Sequence, residues 1–298
     1  MAVTPETSSA TRKAKFGTGP CKLTGISGPY VRSHLLPLAF TRHETPGQPI
    51  YQTGEGTRPI KRMTSWYDTT IVTAEGEKIL ADYDDWAIAT LRRLKLVWSG
   101  WEGARLRATG MMVINDEFAF RKIEGEDWSR LRLFFLSLLW RAAASSLPEF
   151  SRIVLPDRDL EIIRVALISG TPPPPDFYPI MLTQLSTKGP PHNHAPIPQL
   201  KTIPASGPIL EHQLRLFRFY LEGLIVHFHR DAPSKGELDA MGPLVLEAAD
   251  VMVVQARTYE GSFQAENLAV TMAETWERWP AFRPQIAKAM FEDAGDQY

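Results

Sequence analysis

Residues 21–37 read CKLTGISGPYVRSHLLP, and no other stretch of the 298-residue chain has a residue order that suggests a particular chemistry. A cysteine opens the stretch, the pair Gly28-Pro29 divides it, and Ser33-His34 stands shortly before its final proline. Ten glycines and prolines lie between Cys21 and Val72, a density that favours short strands and turns over helix. The sequence therefore predicts a small β-rich module here.

Three helices are predicted to follow this module. Between Ile79 and Leu96 the apolar residues recur at the i, i+3, i+4 spacing of one buried helix face. Residues 128–145 are apolar around most of the circumference of a helix, which predicts a position at the centre of the core. Residues 157–169 fit a shorter helix that ends at Gly170.

The segment 171–208 is rich in proline and holds eleven of the 24 prolines of the chain. Such a composition predicts a stiff connector between two domains. A ligand for a proline-binding domain is the alternative interpretation. Two short apolar pieces, residues 180–182 and 200–203, are candidates for edge strands inside the connector.

The remainder of the chain, residues 209–298, is predicted to be mixed in structure. The run 214–229 fits either a helix or a hairpin, and we favour a hairpin because Glu222-Gly223 separates two halves rich in aromatic and β-branched residues. Residues 251–259 are predicted to form a strand. Residues 264–279 are predicted to form an amphipathic helix that the following proline ends.

The composition narrows the class of protein. A single cysteine cannot form an intramolecular disulfide, which fits a reducing compartment and predicts a cytoplasmic location. The longest apolar run, Leu133 to Trp140, is far shorter than the roughly 20 residues that span a bilayer, so we expect no membrane contact. The first residues contain no apolar signal region, and we expect residues 1–19 to be a disordered leader.

The net charge of −1 conceals a separation of charge along the chain. Residues 11–62 contain nine Lys and Arg and two acidic residues, which gives a net charge of +7. Residues 231–298 contain five Lys and Arg and twelve acidic residues, which gives a net charge of −7. A basic N-terminal module predicts a DNA or RNA partner, and the acidic C-terminal region a protein partner. Mutual attraction of the two ends is the alternative. The residues expected to contact phosphate are Arg32, Arg42, Arg58, Lys61 and Arg62.

Histidines elsewhere in the chain suggest weaker candidates for metal sites. His227 and His229 would project from the same face of a strand, which would permit metal binding, but no third ligand is evident and an ordinary polar face is the simpler interpretation. His192-Asn193-His194 lies among prolines and is interpreted as a solvated loop.

The first half of the chain resembles uncharacterised bacterial HNH-like proteins of the treble-clef and ββα-metal type. Their pattern runs from a C-x-x-C-G knuckle and Ser-His-Ile-x-Pro to a Leu-Cys-x-x-Cys-Asp/Glu helix start and a Leu-Trp-Arg-Ala helix. The residues of this chain that match the pattern are Cys21, Gly25, Ser33, His34, Pro37, Leu80, Asp85 and 138–142. Thr24, Ala81 and Asp84 are assigned to the other three cysteine positions, so the resemblance implies that the structural zinc is lost.

The resemblance implies an α+β fold with a degenerate HNH-like ββα module, followed by a helical core and a region of β-hairpin and helix. Residues 20–170 would hold the module and the core, with His34 near the start of the helix that carries Asp84 and Asp85. In active HNH enzymes a strand histidine activates water beside a divalent ion. The same chemistry here would use His34 as the base and Asp84 and Asp85 as ligands of Mg²⁺ or another divalent cation.

Three hypotheses for function follow from these observations. The first, which we favour, is a non-catalytic HNH-derived protein that binds nucleic acid or a nucleoprotein without a cofactor, in phage defence or a mobile element. The second is an active metal-dependent endonuclease. The third is a structural subunit that binds another protein through its acidic C-terminal region.

Overall fold

The computed structural model describes residues 16–54, 57–203, 212–278 and 280–284. Within these ranges the protein is a mixture of helices and strands, which confirms the predicted α+β class. Most of the predicted leader, residues 1–15, lies outside the described ranges, and the first strand begins at Thr18. No helix of the described ranges is long and apolar enough to cross a membrane.

The N-terminal part consists of short strands and one long helix, as the density of glycine and proline predicts. The strands pair antiparallel as β1 with β2, β3 with β6 and β4 with β5. Helix α1, Ala74–Arg93, follows them. The strands are β1 Thr18–Pro20, β2 Ser27–Pro29, β3 Ser33–His34, β4 Ile50–Gly54, β5 Thr57–Arg62 and β6 Tyr67–Asp68.

A seven-stranded sheet forms the larger part of the fold. Its strands are β7 Met111–Val113, β8 Phe118–Glu124, β9 Ile180–Leu185, β11 Ile197–Ile203, β12 His212–Leu221, β13 Leu224–His229 and β14 Val251–Arg257. They lie in the order β11-β12-β13-β9-β14-β8-β7, and all neighbours are antiparallel except β9 and β14. The remaining strand, β10 His192–His194, pairs in parallel with β4.

Helix α2, Trp128–Ala144, is the centre of the core, as its almost wholly apolar sequence predicts. Its side chains share one hydrophobic cluster with residues from one face of the sheet, including Phe217, Phe219 and Phe228. Helix α3, Asp157–Ser169, ends at Gly170 with φ 72°, as predicted. The other helices are α4 Lys235–Met241 and α5 Phe263–Arg278.

The predicted hairpin is confirmed, and it joins β12 to β13. Its turn residues, Glu222 and Gly223, both have positive φ, at 46° and 86°. Two consecutive residues of positive φ are typical of the two-residue turns whose twist matches that of paired strands. The strand over 251–257 and the helix over 263–278 also agree with the prediction.

The proline-rich segment differs from the predicted connector between two domains, because it contributes three strands to the fold. Strand β9 is not an edge strand but lies between β13 and β14, while β11 does form an edge. The buried Arg132 of α2 also donates hydrogen bonds of 2.7 Å to the carbonyl oxygens of Pro174 and Phe177. Strand β8, from the first predicted domain, pairs with β14 from the last, so one sheet joins both regions.

The interpretation of residues 192–194 as a solvated loop is wrong. All three side chains are buried, and the segment is the parallel strand β10. The ring of His192 stacks on Tyr220 at 4.8 Å between centroids, and its Nε2 lies 2.6 Å from Gln264 Nε2. Burial lowers the pKa of His192 to about 4, so this histidine is a neutral part of the core.

Candidate nucleic-acid interface

The turn between β1 and β2 lies against the beginning of α1. Cys21 stands at the start of this turn, and its carbonyl oxygen accepts a 2.8 Å hydrogen bond from the Gly25 N–H. The Thr24 N–H donates to Cys21 Sγ at 3.4 Å. A Cβ placed on Gly76, in the first turn of α1, would lie 2.6 Å from the same sulfur. The thiol therefore occupies the space that the missing glycine side chain leaves open.

Of the residues assigned to the other cysteine positions, Thr24 contacts Cys21 directly. The residues at the helix start that surround Cys21 are Thr73 and Gly76, whereas Ala81 and Asp84 lie about 8 and 12 Å beyond Gly76 along the helix axis. Burial acts to raise the pKa of the Cys21 thiol, but hydrogen bonds from Thr24 and Thr73 outweigh it and lower the pKa below its ordinary value. The cluster supplies one sulfur, whereas a structural zinc takes four ligands.

His34 lies at the end of β3, opposite Tyr67 of β6, and is half-buried. Its ring meets that of Tyr67 edge to face at 6.2 Å, and its Nε2 lies 3.5 Å from Thr64 Oγ1. The guanidinium of Arg32 lies over the same tyrosine, 4.3 Å from the Tyr67 ring centre. Burial, together with the charges of Arg32 and Arg141, lowers the pKa of His34 below its ordinary value. These neighbours favour the neutral form of His34.

Asp84 is not free for a metal ion, because Arg141 of α2 binds both of its oxygens. Arg141 Nη1 lies 2.9 Å from Oδ2 and Nη2 lies 2.5 Å from Oδ1. Nη1 also donates to the His34 carbonyl oxygen at 2.9 Å, and Nη2 to Ser137 Oγ at 2.9 Å. The bidentate salt bridge between Arg141 and Asp84 joins α2 to α1, and the hydrogen bond to the His34 carbonyl joins both helices to β3.

Two other acidic residues of α1 are possible metal ligands beside Asp84, the predicted Asp85 and also Glu77. Asp85 is exposed on the surface of α1. Glu77, in the first turn of α1, faces Ser33; burial raises its pKa, while Ser33 and Arg141 act to lower it and Asp84 to raise it. Within the described ranges, no group of three or more His, Cys, Asp or Glu residues could hold a metal ion.

Neither Arg141 nor Glu77 is a functional candidate by sequence alone. A charge in the largely apolar second half of α2 was the available signal for Arg141, because a buried arginine requires a partner. The partner itself, 57 residues earlier in the chain, follows only from the packing of α1 against α2.

Three of the five predicted phosphate-binding residues lie in or next to the strand pairs β3–β6 and β4–β5. Arg32, Lys61 and Arg62 are exposed, and none of them forms an ion pair with an acidic residue of the described ranges. The Lys61 ammonium lies 4.8 Å from the centre of the Tyr51 ring. The chain then runs through Arg62 to the residues that touch His34. We call this area the His34 surface, defined by Arg32, His34, Tyr51, Lys61, Arg62, Met63, Thr64 and Tyr67.

Arg42, another of the predicted phosphate-binding residues, does not join this area. Arg42 is exposed but lines a separate small cavity with Glu44 and Lys188, which form an ion pair with each other at 2.6 Å. The side chain of Arg58 lies outside the described part of the structure. Lys22, counted in the basic N-terminal balance, donates a 2.6 Å hydrogen bond to the Ala144 carbonyl at the end of α2.

Comparison of the chain with models of protein families, with characterised proteins and with solved structures found no match. The HNH-like resemblance therefore stays a hypothesis.

Proposed function

We propose that the protein binds nucleic acid through the His34 surface, without catalysis. The observation that carries the proposal is the set of exposed cations beside aromatic rings, with Arg32 over Tyr67 and Lys61 over Tyr51. Cations without acidic partners are available to neutralise phosphates, and each neutralised phosphate releases condensed counterions. Aromatic rings held near such cations are a common feature of surfaces that bind single strands.

The polar groups next to this surface support a binding role rather than a nuclease role. The carboxylate of Asp84 is already neutralised by Arg141, and the same arginine holds the His34 carbonyl. A divalent ion at Asp84 would have to displace a buried guanidinium, which would leave Arg141 without its partner. We infer that His34, Asp84 and Arg141 hold the surface in place. The neighbouring cations, Arg32, Lys61 and Arg62, bind the phosphates.

Fluorescence anisotropy with short single- and double-stranded oligonucleotides, over a series of salt concentrations, tests the proposal. Affinity should fall with salt, with a logarithmic slope of about 0.9 per phosphate contact on a duplex and about 0.7 on a single strand. Reversing both charges, in Lys61→Glu with Arg62→Glu, should weaken binding to every sequence and reduce the slope by about 2. The matched control reverses the charge of two exposed basic residues outside the surface, in Arg107→Glu with Lys235→Glu. This variant should change the affinity much less.

Other outcomes of the same experiment would favour the remaining hypotheses. Cleavage of the oligonucleotide that depends on a divalent ion would favour the endonuclease. Failure to bind any nucleic acid, together with co-purification of a protein partner that survives nuclease treatment, would favour the interaction subunit. Equal affinity in the double charge reversal and its control would overturn the assignment of the surface.

A further inference from the structure

A cavity of about 110 Å³ lies where Arg42, Lys188 and Glu222 meet from distant parts of the chain. Trp98 and Tyr220 also line it, and their buried rings meet edge to face at 6.3 Å between centroids. The cavity therefore has an aromatic wall, with charged residues nearer the solvent. One water molecule takes about 30 Å³ in the liquid, so the space equals about four water molecules and suits a ligand of only a few heavy atoms.

The charged residues of this cavity are only partly paired with one another. Glu44 and Lys188 form an ion pair at 2.6 Å. Arg42 is exposed and forms no ion pair with any residue of the described ranges. The carboxylate of Glu222 likewise has no ion pair in the part of the chain that the structure describes. One cation and one carboxylate thus remain for a ligand.

One oxygen of the Glu222 carboxylate is both unpaired and accessible. Its Oε2 accepts a 2.7 Å hydrogen bond from Ser99 Oγ, whereas Oε1 has no hydrogen-bond partner among the described residues. Because Oε1 is not among the unpaired side-chain atoms that are closed off from solvent, it remains accessible. The carboxylate also interacts with the charges of Lys188 and Glu44, which line the same cavity. These contacts place the free oxygen beside the cavity.

The backbone at Glu222 suits other residues better than glutamate. Its φ of 46° lies in the left-handed region, which glycine, asparagine and aspartate adopt more easily at the first position of such a turn. Burial raises the pKa of its carboxyl, and the lowering effects of Ser99, Arg92 and Lys188 offset only part of that rise. Backbone strain and poorly compensated charge concentrate at functional sites. A ligand cation at Glu222 supplies the charge that the protein does not.

We propose that this cavity binds a small zwitterion, a compact molecule with one anionic and one cationic group, such as a free amino acid. The anionic group pairs with the guanidinium of Arg42, whose fork of N–H donors matches a carboxylate. The cationic group donates to Glu222 Oε1, and the carbon skeleton lies against Trp98 and Tyr220. Because the aromatic wall excludes water, both pairings are stronger than they are at an open surface. The proposal is independent of nucleic-acid binding at the His34 surface.

Isothermal titration calorimetry at pH 8 tests the proposal with three zwitterions of increasing charge separation: glycine, β-alanine and 4-aminobutyrate. At least one of them should bind. Compounds that keep one charge of each zwitterion are the comparison: acetate and methylamine, propionate and ethylamine, and butyrate and propylamine. Each should bind about tenfold more weakly than its zwitterion, because one charged hydrogen-bonded contact is lost.

Two variants locate the binding site. Glu222→Gln removes the charge and keeps an acceptor for Ser99, and Arg42→Gln changes an exposed side chain that the fold does not require. Each should weaken binding of the zwitterion about tenfold. Glu102→Gln and Arg107→Gln change exposed residues outside the cavity and should bind as the original protein does. The affinity of the original protein should rise between pH 5.5 and pH 8 as Glu222 ionises, and Glu222→Gln should lose this rise.

Three results would overturn the proposal. The first is that none of the three zwitterions binds. The second is that a zwitterion and one of its singly charged analogues bind equally well, because the protein would then recognise only one charge. The third is that the affinity is unchanged in both Glu222→Gln and Arg42→Gln, which would place the bound molecule elsewhere. All three results would leave the proposed function standing, because the His34 surface consists of other residues.

Discussion

Replacement of Glu222 by glutamine should stabilise the protein at alkaline pH and have little effect in acid. Glu222 occupies the first position of the turn between β12 and β13 and is half-buried. Its carboxylate accepts a 2.7 Å hydrogen bond from Ser99 Oγ. Burial raises the pKa of this carboxyl from 4.5 to about 7; Ser99, Arg92 and Lys188 act to lower it, while Glu44 acts to raise it.

The size of the effect follows from the two pKa values. The folded state binds the Glu222 proton more tightly than the unfolded state, so the free energy of unfolding falls as pH rises from about 4.5 to about 7 and is level beyond that range. The two values differ by about 2.5, and one pKa unit corresponds to about 1.36 kcal/mol. Ionisation of Glu222 therefore costs about 3 kcal/mol of stability above pH 7.

Glu222→Gln isolates this cost, because the amide has nearly the same shape and cannot ionise. Its oxygen still accepts from Ser99, and glutamine is no more branched than glutamate at a position with φ 46°. The variant should match the original protein near pH 4.5 and be more stable by about 3 kcal/mol at pH 8. The difference should grow steadily between those two conditions.

Urea unfolding at intervals between pH 4.5 and pH 8, with the original protein and the variant measured in parallel, provides the measurement. Glu102→Gln, a change of an exposed glutamate, is the control and should shift stability by no more than about 0.5 kcal/mol at any pH. Equal stability of the original protein and Glu222→Gln at pH 8 would refute the reasoning. So would a difference that is largest in acid.

Three further predictions follow from the site. Asp84→Asn should destabilise the protein by about 3–5 kcal/mol in urea unfolding, because it leaves Arg141 buried without its carboxylate, whereas Asp85→Asn should cost no more than about 0.5 kcal/mol; equal effects would contradict this account of the pair. Elemental analysis of purified protein should find less than about one zinc per four chains, since the cluster at Cys21 has one sulfur ligand, and near-stoichiometric zinc lost in Cys21→Ala would overturn it. His34→Ala should barely change the affinity for oligonucleotides, because this histidine positions the surface, whereas a loss comparable to that of the double charge reversal would show that His34 itself contacts the nucleic acid.

Several elements of the fold could be predicted because their signals are local. The apolar circumference of residues 128–144 predicts a buried helix wherever the helix packs, because a helix with no polar face must be surrounded by protein. Gly170 and the pair Glu222-Gly223 mark a helix end and a tight turn, because both require positive φ, which glycine adopts most easily.

Other features depend on residues far apart in the chain and were predicted incorrectly. The proline-rich segment suggests a connector by composition, but a central strand and the carbonyls that accept from Arg132 make it part of the core. Residues 192–194 suggest a loop because prolines flank them, yet they pair with β4, about 140 residues earlier. The amino-acid composition of a segment indicates only its local conformational preference. Its hydrogen bonds and its burial come from the strand or helix with which it packs.

The candidate site shows the same division between local sequence and tertiary structure. The exposed cations and the position of His34 beside a strand could be predicted from composition and residue order. The sequence alone could not show that Thr73 and Gly76 surround Cys21, or that Arg141 occupies both oxygens of Asp84. Those contacts exist because the β1–β2 turn and α2 both pack against α1, and the free energy that selects such packing comes from apolar burial spread over the whole core.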